Sequence, residues 1–321
     1  MRKTDAAGAT QILQIVSAFR ASRVLITASR YRLFDLLERP RSASAAAKVL
    51  RLDTRATEIL LDALVSTGLI RKDSRNYRNT EAASSFLVTG APLYLGDIVS
   101  HYGTLWKRWS DLDSVVKSGK PATGPFDHDS FIMGMHNLAT IKAPDVLAAI
   151  DLTGVRKALD LGGGPGTYSL GLARKGVEVT LFDLPETIAV ARKVVSSEGV
   201  QKVRFAGGDF MTDDIGSGYD LVLISQILHS YSRSDNVTLL RKARKALGRG
   251  GTIAIHEFLL SEDHTQPPQG AFFSVNMLVN TVGGRSYSPS EIGAMLMKAR
   301  FTSPRETALE DTVLIQAQKG P

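Results

Sequence analysis

From about residue 155, short apolar runs alternate with longer segments in which apolar residues recur every three or four positions. The short runs predict buried strands and the longer segments predict helices. The predicted strands cover 156–162, 177–184, 202–209, 219–228, 251–260, 302–309 and 311–318. Such alternation is typical of an α/β fold, a mostly parallel sheet with helices on both faces. Because almost nothing separates the last two runs, we expect a tight hairpin and an antiparallel final strand.

The first 80 residues show helical periodicity followed by a hairpin pattern. Apolar residues over 10–38 suit one or two buried helices, and 42–49 suits a short helix. Thr54 can cap a third helix, which Gly68 is placed to end. The segment 69–80 then alternates around a polar turn, which predicts a β-hairpin. Three helices followed by a hairpin is the order of a winged helix.

Residues 99–154 bridge these two parts of the chain. Helical spacing occurs over 105–119 and 131–150, with a Pro/Gly-rich loop between them. The 321-residue length suits two domains at roughly 100–200 residues each. We therefore expect a domain over 1–98 and a second over 99–321, with the bridging helices belonging to the second.

The composition is that of an ordinary globular protein and excludes several chemistries. Apolar residues make up 43% of the chain and charged residues 22%. With no cysteine there is no disulfide, no Cys-ligated zinc and no thiol nucleophile. Metal-ligand spacing is also absent, so we expect no metal. We find neither a signal peptide nor a run of 18 apolar residues, and we expect a cytoplasmic protein without a membrane span.

The net charge of +7 raises the question of a nucleic-acid partner. The first 80 residues hold 15 Lys/Arg and 7 Asp/Glu, so the excess lies in the predicted winged helix. A DNA-binding regulator with a ligand-sensing body is therefore one hypothesis. Its recognition helix would carry Glu58 and Asp62, which phosphates repel. The favoured interpretation is a module that buries apolar faces against a partner subunit. An enzyme that acts on RNA is a further alternative, against which the nearly neutral body argues.

A glycine-rich loop follows the first strand of the second domain. It spans Asp160 to Gly166 (DLGGGPG) and precedes a helix, where backbone N–H groups and close approach favour a ligand. Asp183 ends the next strand and can accept both ribose hydroxyls of an adenosine, and Asp209 ends the third. A dinucleotide motif would have glycine at Thr167. The loop has no Lys or Arg for a pyrophosphate, which favours S-adenosylmethionine.

These residues and several further motifs resemble the small-molecule O-methyltransferase family that includes plant caffeate and acetylserotonin methyltransferases and many bacterial tailoring enzymes. The resemblance extends over nearly the whole chain, including 52–70 in the winged helix. The motifs are LDLGGGPG (159–166), FDLP (182–185), GGDF (207–210), LHSYS (228–232), ALGRGGTIAIHEFLL (246–260) and GGRSYS (283–288).

The resemblance implies a seven-stranded Rossmann-like methyltransferase sheet with an antiparallel last strand, and an N-terminal winged-helix dimerisation domain. It implies a homodimer whose N-terminal helices interlock and close each other's active sites. It also implies S-adenosylmethionine as the cofactor and a small acceptor. From the residues alone we expect neither a membrane nor a nucleic acid as a partner. The implied cofactor-binding residues are Asp160, Gly162, Gly164, Asp183, Leu184, Asp209, Phe210 and Ser225, the last standing where plant relatives have a Lys.

His229 is the predicted general base. It lies just past the fourth strand, at the sheet edge where ligands bind, and matches the catalytic His of the family. The resemblance makes Glu257, at the end of the next strand, the group that orients it. Ser286 stands where plant relatives have a further Glu. This departure leaves room for N- or C-methylation, for example of a tetrapyrrole, beside methylation of a hydroxyl on an aromatic or polyketide-like acceptor.

The acceptor pocket is expected to draw on residues 126–136 and 272–287. Met and Phe side chains can clamp a planar ring, and Asn side chains can orient polar groups. Core packing explains each of these residues equally well. We expect His256 to point away from Glu257 as a structural residue, and His101, His128 and His264 to face solvent. The candidates for acceptor binding are Met133, His136, Phe273, Asn276, Met277 and Asn280.

Overall fold

The computed structural model describes residues 3–320 and divides into two compact units, Met1–Leu105 and Trp106–Pro321. The first unit is helical with a small antiparallel sheet in the order β1-β3-β2. Its elements are α1 Lys3–Ser17, α2 Phe19–Arg30, α3 Leu33–Leu36, β1 Arg41–Ser42, α4 Ala43–Leu50, α5 Thr54–Ser66, β2 Ile70–Asp73, β3 Asn76–Asn79, α6 Glu81–Leu87 and α7 Gly96–Trp109, which runs across the boundary.

The predicted hairpin and third helix pack as expected for a winged helix. Leu61 and Leu64 of α5 are fully buried, together with Phe34 and with Tyr77 of the hairpin. The helix cap is Asp53 rather than Thr54, because its carboxylate accepts the Ala56 N–H at 2.7 Å.

Asp62 fastens the hairpin to α5. Its carboxylate accepts hydrogen bonds from Lys72 Nζ and from the Tyr77 hydroxyl, each at 2.7 Å. Lys72 is one of the basic residues that made DNA binding conceivable, and here its charge is paired within the unit. The acidic residue on the supposed recognition helix is thus part of the packing of this unit.

Helices α1 and α2 carry exposed apolar side chains. Ile12, Leu13, Ile15, Val16 and Phe19 are each more than half exposed. Contrary to the expectation from the sequence, residues 6–30 are long and apolar enough to meet the criterion for a membrane-spanning helix, with a mean hydropathy of 1.2. By length and composition alone, a helix that packs against protein meets the same criterion.

The second unit holds a seven-stranded sheet in the order β6-β5-β4-β7-β8-β10-β9. Strands β4 to β8 pair in parallel, whereas β10 is antiparallel to both β8 and β9, which confirms the expected reversal of the final strand. The elements are α8 Leu112–Ser118, α9 His128–Ala149, β4 Lys157–Leu161, α10 Thr167–Arg174, β5 Glu178–Asp183, α11 Pro185–Ser197, β6 Val203–Gly207, β7 Tyr219–Ser225, α12 Arg233–Ala246, β8 Leu247–Phe258, α13 Pro268–Asn280, α14 Pro289–Lys298, β9 Phe301–Ala308 and β10 Thr312–Lys319.

Both faces of this sheet are covered by helices. Buried side chains of α12 and α14 pack on one face, and those of α9, α10 and α11 pack on the other. Strands such as β7 consequently carry consecutive apolar residues, here over Leu221–Ile224, since both sides face protein. The polar side chains collect at the carboxyl ends of the parallel strands, which is where ligands bind in open α/β sheets.

Candidate functional site

The glycine-rich loop turns sharply between β4 and α10. Gly162, Gly164 and Gly166 all have positive φ, the left-handed region that side chains rarely adopt. A Cβ on Gly162 would lie 2.5 Å from Ile227 Cδ1, so this position has no room for a side chain. Around Gly164 nothing lies within 4 Å of such a Cβ. The loop therefore presents bare backbone to open space, the condition for close approach of a ligand.

Asp183 is fixed against this loop by the backbone. Its Oδ2 accepts the Gly164 N–H at 2.8 Å and its Oδ1 accepts the Leu184 N–H at 2.7 Å. Burial raises the pKa of Asp183, and these two hydrogen bonds oppose the rise. The Thr187 hydroxyl also acts on this carboxylate, whose two oxygens together offer about four acceptor positions. The residue can therefore still accept a hydrogen bond from a ribose placed at the loop.

Asp160, at the end of β4, is a buried acid with an unmet hydrogen-bonding capacity. Its Oδ2 accepts the Ser169 hydroxyl at 2.6 Å, while Oδ1 has no hydrogen-bond partner in the part of the chain that the structure describes. Burial raises its pKa to about 6, against the lowering effect of Ser169. An ammonium or N–H group of a ligand would satisfy Oδ1. S-Adenosylmethionine, with an ammonium in its methionine part and a ribose in its adenosine part, fits Asp160 and Asp183 together.

The remaining predicted cofactor residues surround this loop. Asp209 accepts the Met211 N–H at 2.8 Å, and Phe210 is buried with its ring edge-on to Tyr231 at 5.7 Å. Leu184 is 43% exposed, so its side chain is available to a flat apolar group. Ser225, at the end of β7, is half-buried and hydrogen-bonded to His256.

His229 and Glu257 form a buried pair. A short 3₁₀ turn over Leu228–Ser230 follows β7 and carries His229, whose Nδ1 lies 2.8 Å from Glu257 Oε2. The backbone N–H of His229 donates to Oε1 of the same carboxylate at 3.3 Å. Burial acts to raise the pKa of Glu257, but the interactions with His229 outweigh it and lower the pKa below the usual range. The ionised carboxylate holds the proton on Nδ1, which leaves the lone pair of Nε2 free to accept a hydrogen bond from a hydroxyl.

Aromatic rings enclose the histidine. The Phe273 ring, on α13, meets the imidazole edge to face at 4.7 Å, and Phe258 packs on Phe273 at 4.0 Å. Two turns of α13 also carry an amide network. Asn276 Oδ1 accepts hydrogen bonds from Trp109 Nε1 and from Asn280 Nδ2, both at 3.0 Å. Helix α13 thus carries both a polar amide network and the aromatic ring that contacts His229.

The other acceptor candidates differ in their contacts and burial. His136 Nδ1 lies 2.8 Å from Thr167 Oγ1, so this residue contacts the start of α10 beside the glycine loop. Met277 is buried and Met133 is half-buried. Asn280 Oδ1 is buried and has no hydrogen-bond partner among residues 3–320.

The GGRSYS segment packs against the turn that carries His229. It supplies no second carboxylate. Ser286 is buried and donates to the Gly270 carbonyl at 3.0 Å. A Cβ on Gly284 would overlap the His229 carbonyl oxygen, and the Tyr287 hydroxyl donates to the Tyr231 carbonyl at 2.6 Å. Gly284 is therefore needed for close approach to the turn.

Three histidines expected to face solvent have partners or are buried. His101 is 6% exposed. His128 Nε2 lies 3.4 Å from Thr187 Oγ1, and His264 Nε2 lies 3.1 Å from Glu291. The expectation was wrong for His101, whereas His128 and His264 are partly exposed and have partners distant in sequence. His256 does point away from Glu257, toward Ser225 and Tyr168, as strand alternation requires. Within residues 3–320 no group of three or more His, Cys, Asp or Glu is placed to hold a metal ion.

Other residues of the site carried no signal in the sequence. Asn236, fully buried in α12, donates to the Leu228 carbonyl at 2.8 Å and so fixes the turn that holds His229. Tyr168 and His256 form hydrogen bonds beside Ser225. In the sequence, only the adjacent His256 and Glu257 near the end of a strand indicated this cluster.

Comparisons with known proteins agree along the whole chain. The model of an O-methyltransferase domain matches residues 95–302, and that of an O-methyltransferase dimerisation domain matches 13–89. The chain is 33% identical to 3-hydroxy-5-methyl-1-naphthoate 3-O-methyltransferase of Streptomyces sahachiroi, over 92% of each chain. It is 31% identical to the tetracenomycin polyketide synthesis 8-O-methyl transferase of Streptomyces glaucescens, over 97% of each.

Among solved structures, human N-acetylserotonin methyltransferase in complex with S-adenosylmethionine superposes with a TM-score of 0.91. The two chains share 27% identity and each is covered completely.

Proposed function

This chain belongs to the S-adenosylmethionine-dependent O-methyltransferase family with an N-terminal dimerisation domain, and on that premise we propose that His229 is the general base for methylation of a phenolic hydroxyl. The observation that carries the proposal is the buried His229–Glu257 pair, with Nδ1 and Oε2 2.8 Å apart, next to the Phe273 ring.

The cofactor supplies an activated sulfonium methyl group when it is bound, so the protein has mainly to align the acceptor and remove its proton. A phenol has a pKa of about 10 by analogy with tyrosine, and a nearby imidazole eases its ionisation. His229 Nε2 takes the hydroxyl proton, and the buried Glu257 carboxylate stabilises the imidazolium that forms. Ser286, which stands where plant relatives have a second Glu, donates to the Gly270 carbonyl. Glu257 is therefore the carboxylate on which His229 depends.

The residues proposed to hold the cofactor divide by the chemistry they offer. Carboxylates at strand ends bind the ammonium and the ribose hydroxyls of the cofactor. The glycines let the cofactor approach the backbone of the loop, and apolar side chains flank the adenine. The set is Asp160, Gly162, Gly164, Asp183, Leu184, Asp209, Phe210 and Ser225.

For the acceptor we propose a hydroxylated aromatic or polyketide-type ring system. Phe258 and Phe273 provide a flat apolar wall beside His229, and the Asn276–Asn280 network provides polar groups on the same helix. The two Streptomyces relatives act on a naphthoate and on a tetracenomycin polyketide. Met133 and Met277 would adapt the pocket to the ring, and His136 would contact the cofactor loop.

The test uses His229→Ala with hydroxynaphthoates and their amino analogues as acceptors. We expect kcat to fall by about 10²-fold or more, because general acid–base catalysis contributes that much, while calorimetry finds the affinity for S-adenosylhomocysteine nearly unchanged. Met297→Ala, which shortens an exposed side chain of α14, serves as the control. Unchanged turnover in His229→Ala, or preferred methylation of the amino analogues, contradicts the proposal.

We also propose that the exposed apolar side chains of α1 and α2 pack against a second copy of the chain. The dimerisation model covers 13–89 and so includes most of this surface. Burial in a dimer explains the hydropathy of residues 6–30 without a membrane, and we expect the protein in the cytoplasmic fraction.

A further inference from the structure

Asn236 is the fourth residue of α12 and lies fully buried beside the turn that carries His229. Its Nδ2 donates to two backbone carbonyls, that of Leu228 at 2.8 Å and that of Tyr231 at 3.3 Å. These carbonyls flank the 3₁₀ turn Leu228–Ser230. A single side-chain amide thus spans the turn, from its first residue to the residue that follows its last.

Neither carbonyl depends on Asn236 for a hydrogen-bond donor. The Leu228 carbonyl also accepts the Tyr231 N–H at 3.1 Å, and the Tyr231 carbonyl also accepts the Tyr287 hydroxyl at 2.6 Å. Both carbonyls would therefore keep a donor if the Asn236 amide were removed. Satisfaction of the buried backbone does not explain why an amide stands at this position.

Asn236 is also an unfavourable residue for its surroundings. Its Oδ1 is buried and has no hydrogen-bond partner in the described chain, and a buried acceptor left unpaired costs free energy. The neighbouring buried residues of α12, among them Val237 and Leu240, are apolar. Asn has a lower helix propensity than Leu, which is similar in size. An apolar side chain would suit the core and the helix better, so the stability of the fold does not account for Asn236.

The turn that Asn236 spans is attached to Glu257 on its other side. The His229 N–H donates to Glu257 Oε1 at 3.3 Å, and His229 Nδ1 lies 2.8 Å from Oε2. The carboxylate thus fixes the N–H and the ring of His229 to β8, while the Asn236 amide fixes the flanking carbonyls to α12. Because a turn of three residues has few hydrogen bonds of its own, the direction of His229 Nε2 depends on both attachments.

We propose that Asn236 is a positioning residue that keeps His229 Nε2 directed at the acceptor hydroxyl while Nδ1 stays on Glu257. The inference rests on the role proposed for His229 as the base. The unpaired Oδ1 is then a cost to stability that the geometry of the catalytic turn requires, and catalysis loses more than the fold does when the amide is removed.

Asn236→Leu separates positioning from a structural role. We expect its urea midpoint to equal or exceed that of wild type, because the unpaired oxygen is replaced by an apolar group of similar shape. We expect kcat to fall about 10-fold or more, since small displacements of a base are costly, with the acceptor KM and the affinity for S-adenosylhomocysteine nearly unchanged. Thr238→Val is the matched control on the same helix, because it removes a hydroxyl that donates only to the Ser234 carbonyl at 3.2 Å.

A second measurement does not depend on turnover. The proton between His229 Nδ1 and Glu257 gives a downfield ¹H NMR signal, which its absence in His229→Ala identifies. We expect this signal to shift in Asn236→Leu and to stay in place in Thr238→Val. If His229→Ala turns over like wild type, the proposed base is wrong, whereas the NMR signal still reports whether Asn236 holds the ring.

Two outcomes overturn the positioning role of Asn236. A urea midpoint of Asn236→Leu below that of wild type, or a variant that does not fold, would show that the amide serves the fold. An unshifted His229 signal together with the kcat of the Thr238→Val control would show that the turn keeps its geometry without Asn236.

Discussion

Asp160 shows how a single residue can be costly to the fold and useful to the site. Its carboxylate is 1% exposed, and one oxygen has no hydrogen-bond partner among the described residues. Burial raises its pKa to about 6 from an ordinary value of 3.8. The folded state therefore binds a proton more tightly than the unfolded chain does, and stability falls as the pH rises from about 4 to 6.

Replacing Asp160 with Asn should stabilise the protein without ligand at neutral pH. A pKa raised to about 6 corresponds to about 3 kcal/mol at pH 7, which the neutral amide does not incur. We expect the urea midpoint of Asp160→Asn to exceed that of wild type at pH 7 and to approach it near pH 4. At the same time the affinity for S-adenosylhomocysteine should fall, because the ammonium of the ligand loses its charged partner.

The control for this prediction is Asp214→Asn, which removes an exposed carboxylate on the loop before β7. Its stability should follow that of wild type at both pH values. A midpoint of Asp160→Asn below that of wild type at pH 7 would show that the carboxylate contributes to the fold rather than to a ligand site.

At the scale of elements, the His229 turn depends on three segments that are remote in sequence. The end of β8 supplies Glu257, α12 supplies Asn236, and the loop before α14 supplies Gly284 and Tyr287. A turn of three residues has few internal hydrogen bonds, so its geometry is set by these neighbours. The GGRSYS loop is therefore part of the support for the base, although none of its side chains replaces the missing carboxylate.

Gly284→Ala should impair catalysis while the fold persists. The added Cβ would overlap the His229 carbonyl oxygen and the Thr281 side chain, so the turn has to shift. We expect kcat to fall about 10-fold or more, since small displacements of a base are costly, with cofactor affinity nearly unchanged.

Gly293→Ala in α14 is the matched control, because a Cβ there meets nothing within 4 Å. Activity of Gly284→Ala equal to that of this control would mean that the turn tolerates the shift.

At the scale of the whole molecule, the exposed apolar side chains of α1 and α2 form a surface that a single copy of the chain leaves uncovered. Five of them are more than half exposed along α1 and the start of α2. The net charge of +7 originates in the same unit, where Asp62 and Lys72 pair with each other. An exposed apolar surface combined with an excess of basic residues is typical of a dimerisation module whose basic side faces solvent.

Ile15→Glu should dissociate the proposed homodimer. A buried isoleucine contributes about 1.5–3 kcal/mol, and a two-fold interface contains the residue twice, so the dimer constant should weaken roughly 100-fold or more. Sedimentation velocity at micromolar concentration measures the change. Met297→Glu, which adds the same charge at an exposed methionine of the C-terminal unit, should leave the dimer intact. A monomeric wild type, or an unaffected Ile15→Glu dimer, would contradict the proposed interface.

The sequence by itself determined the elements and the family. Strand and helix periodicities are set by neighbours along the chain, so the seven strands, the antiparallel final strand and the glycine loop could all be predicted from local pattern. The pairing of His229 with Glu257 came from the resemblance to the family and not from local pattern. Local signals also have limits of a residue or two, as the cap at Asp53 instead of Thr54 shows.

Only the tertiary structure decided which polar groups meet. His264 is hydrogen-bonded to Glu291, Ser286 donates to the Gly270 carbonyl, and one oxygen of Asp160 has no partner among the described residues. No periodicity contains this information. Hydrogen bonds between residues far apart in sequence depend on the packing of both sheet faces, which places side chains to within a few tenths of an ångström. For that reason the sequence indicated the chemistry of the site, and the fold determined how its groups are held.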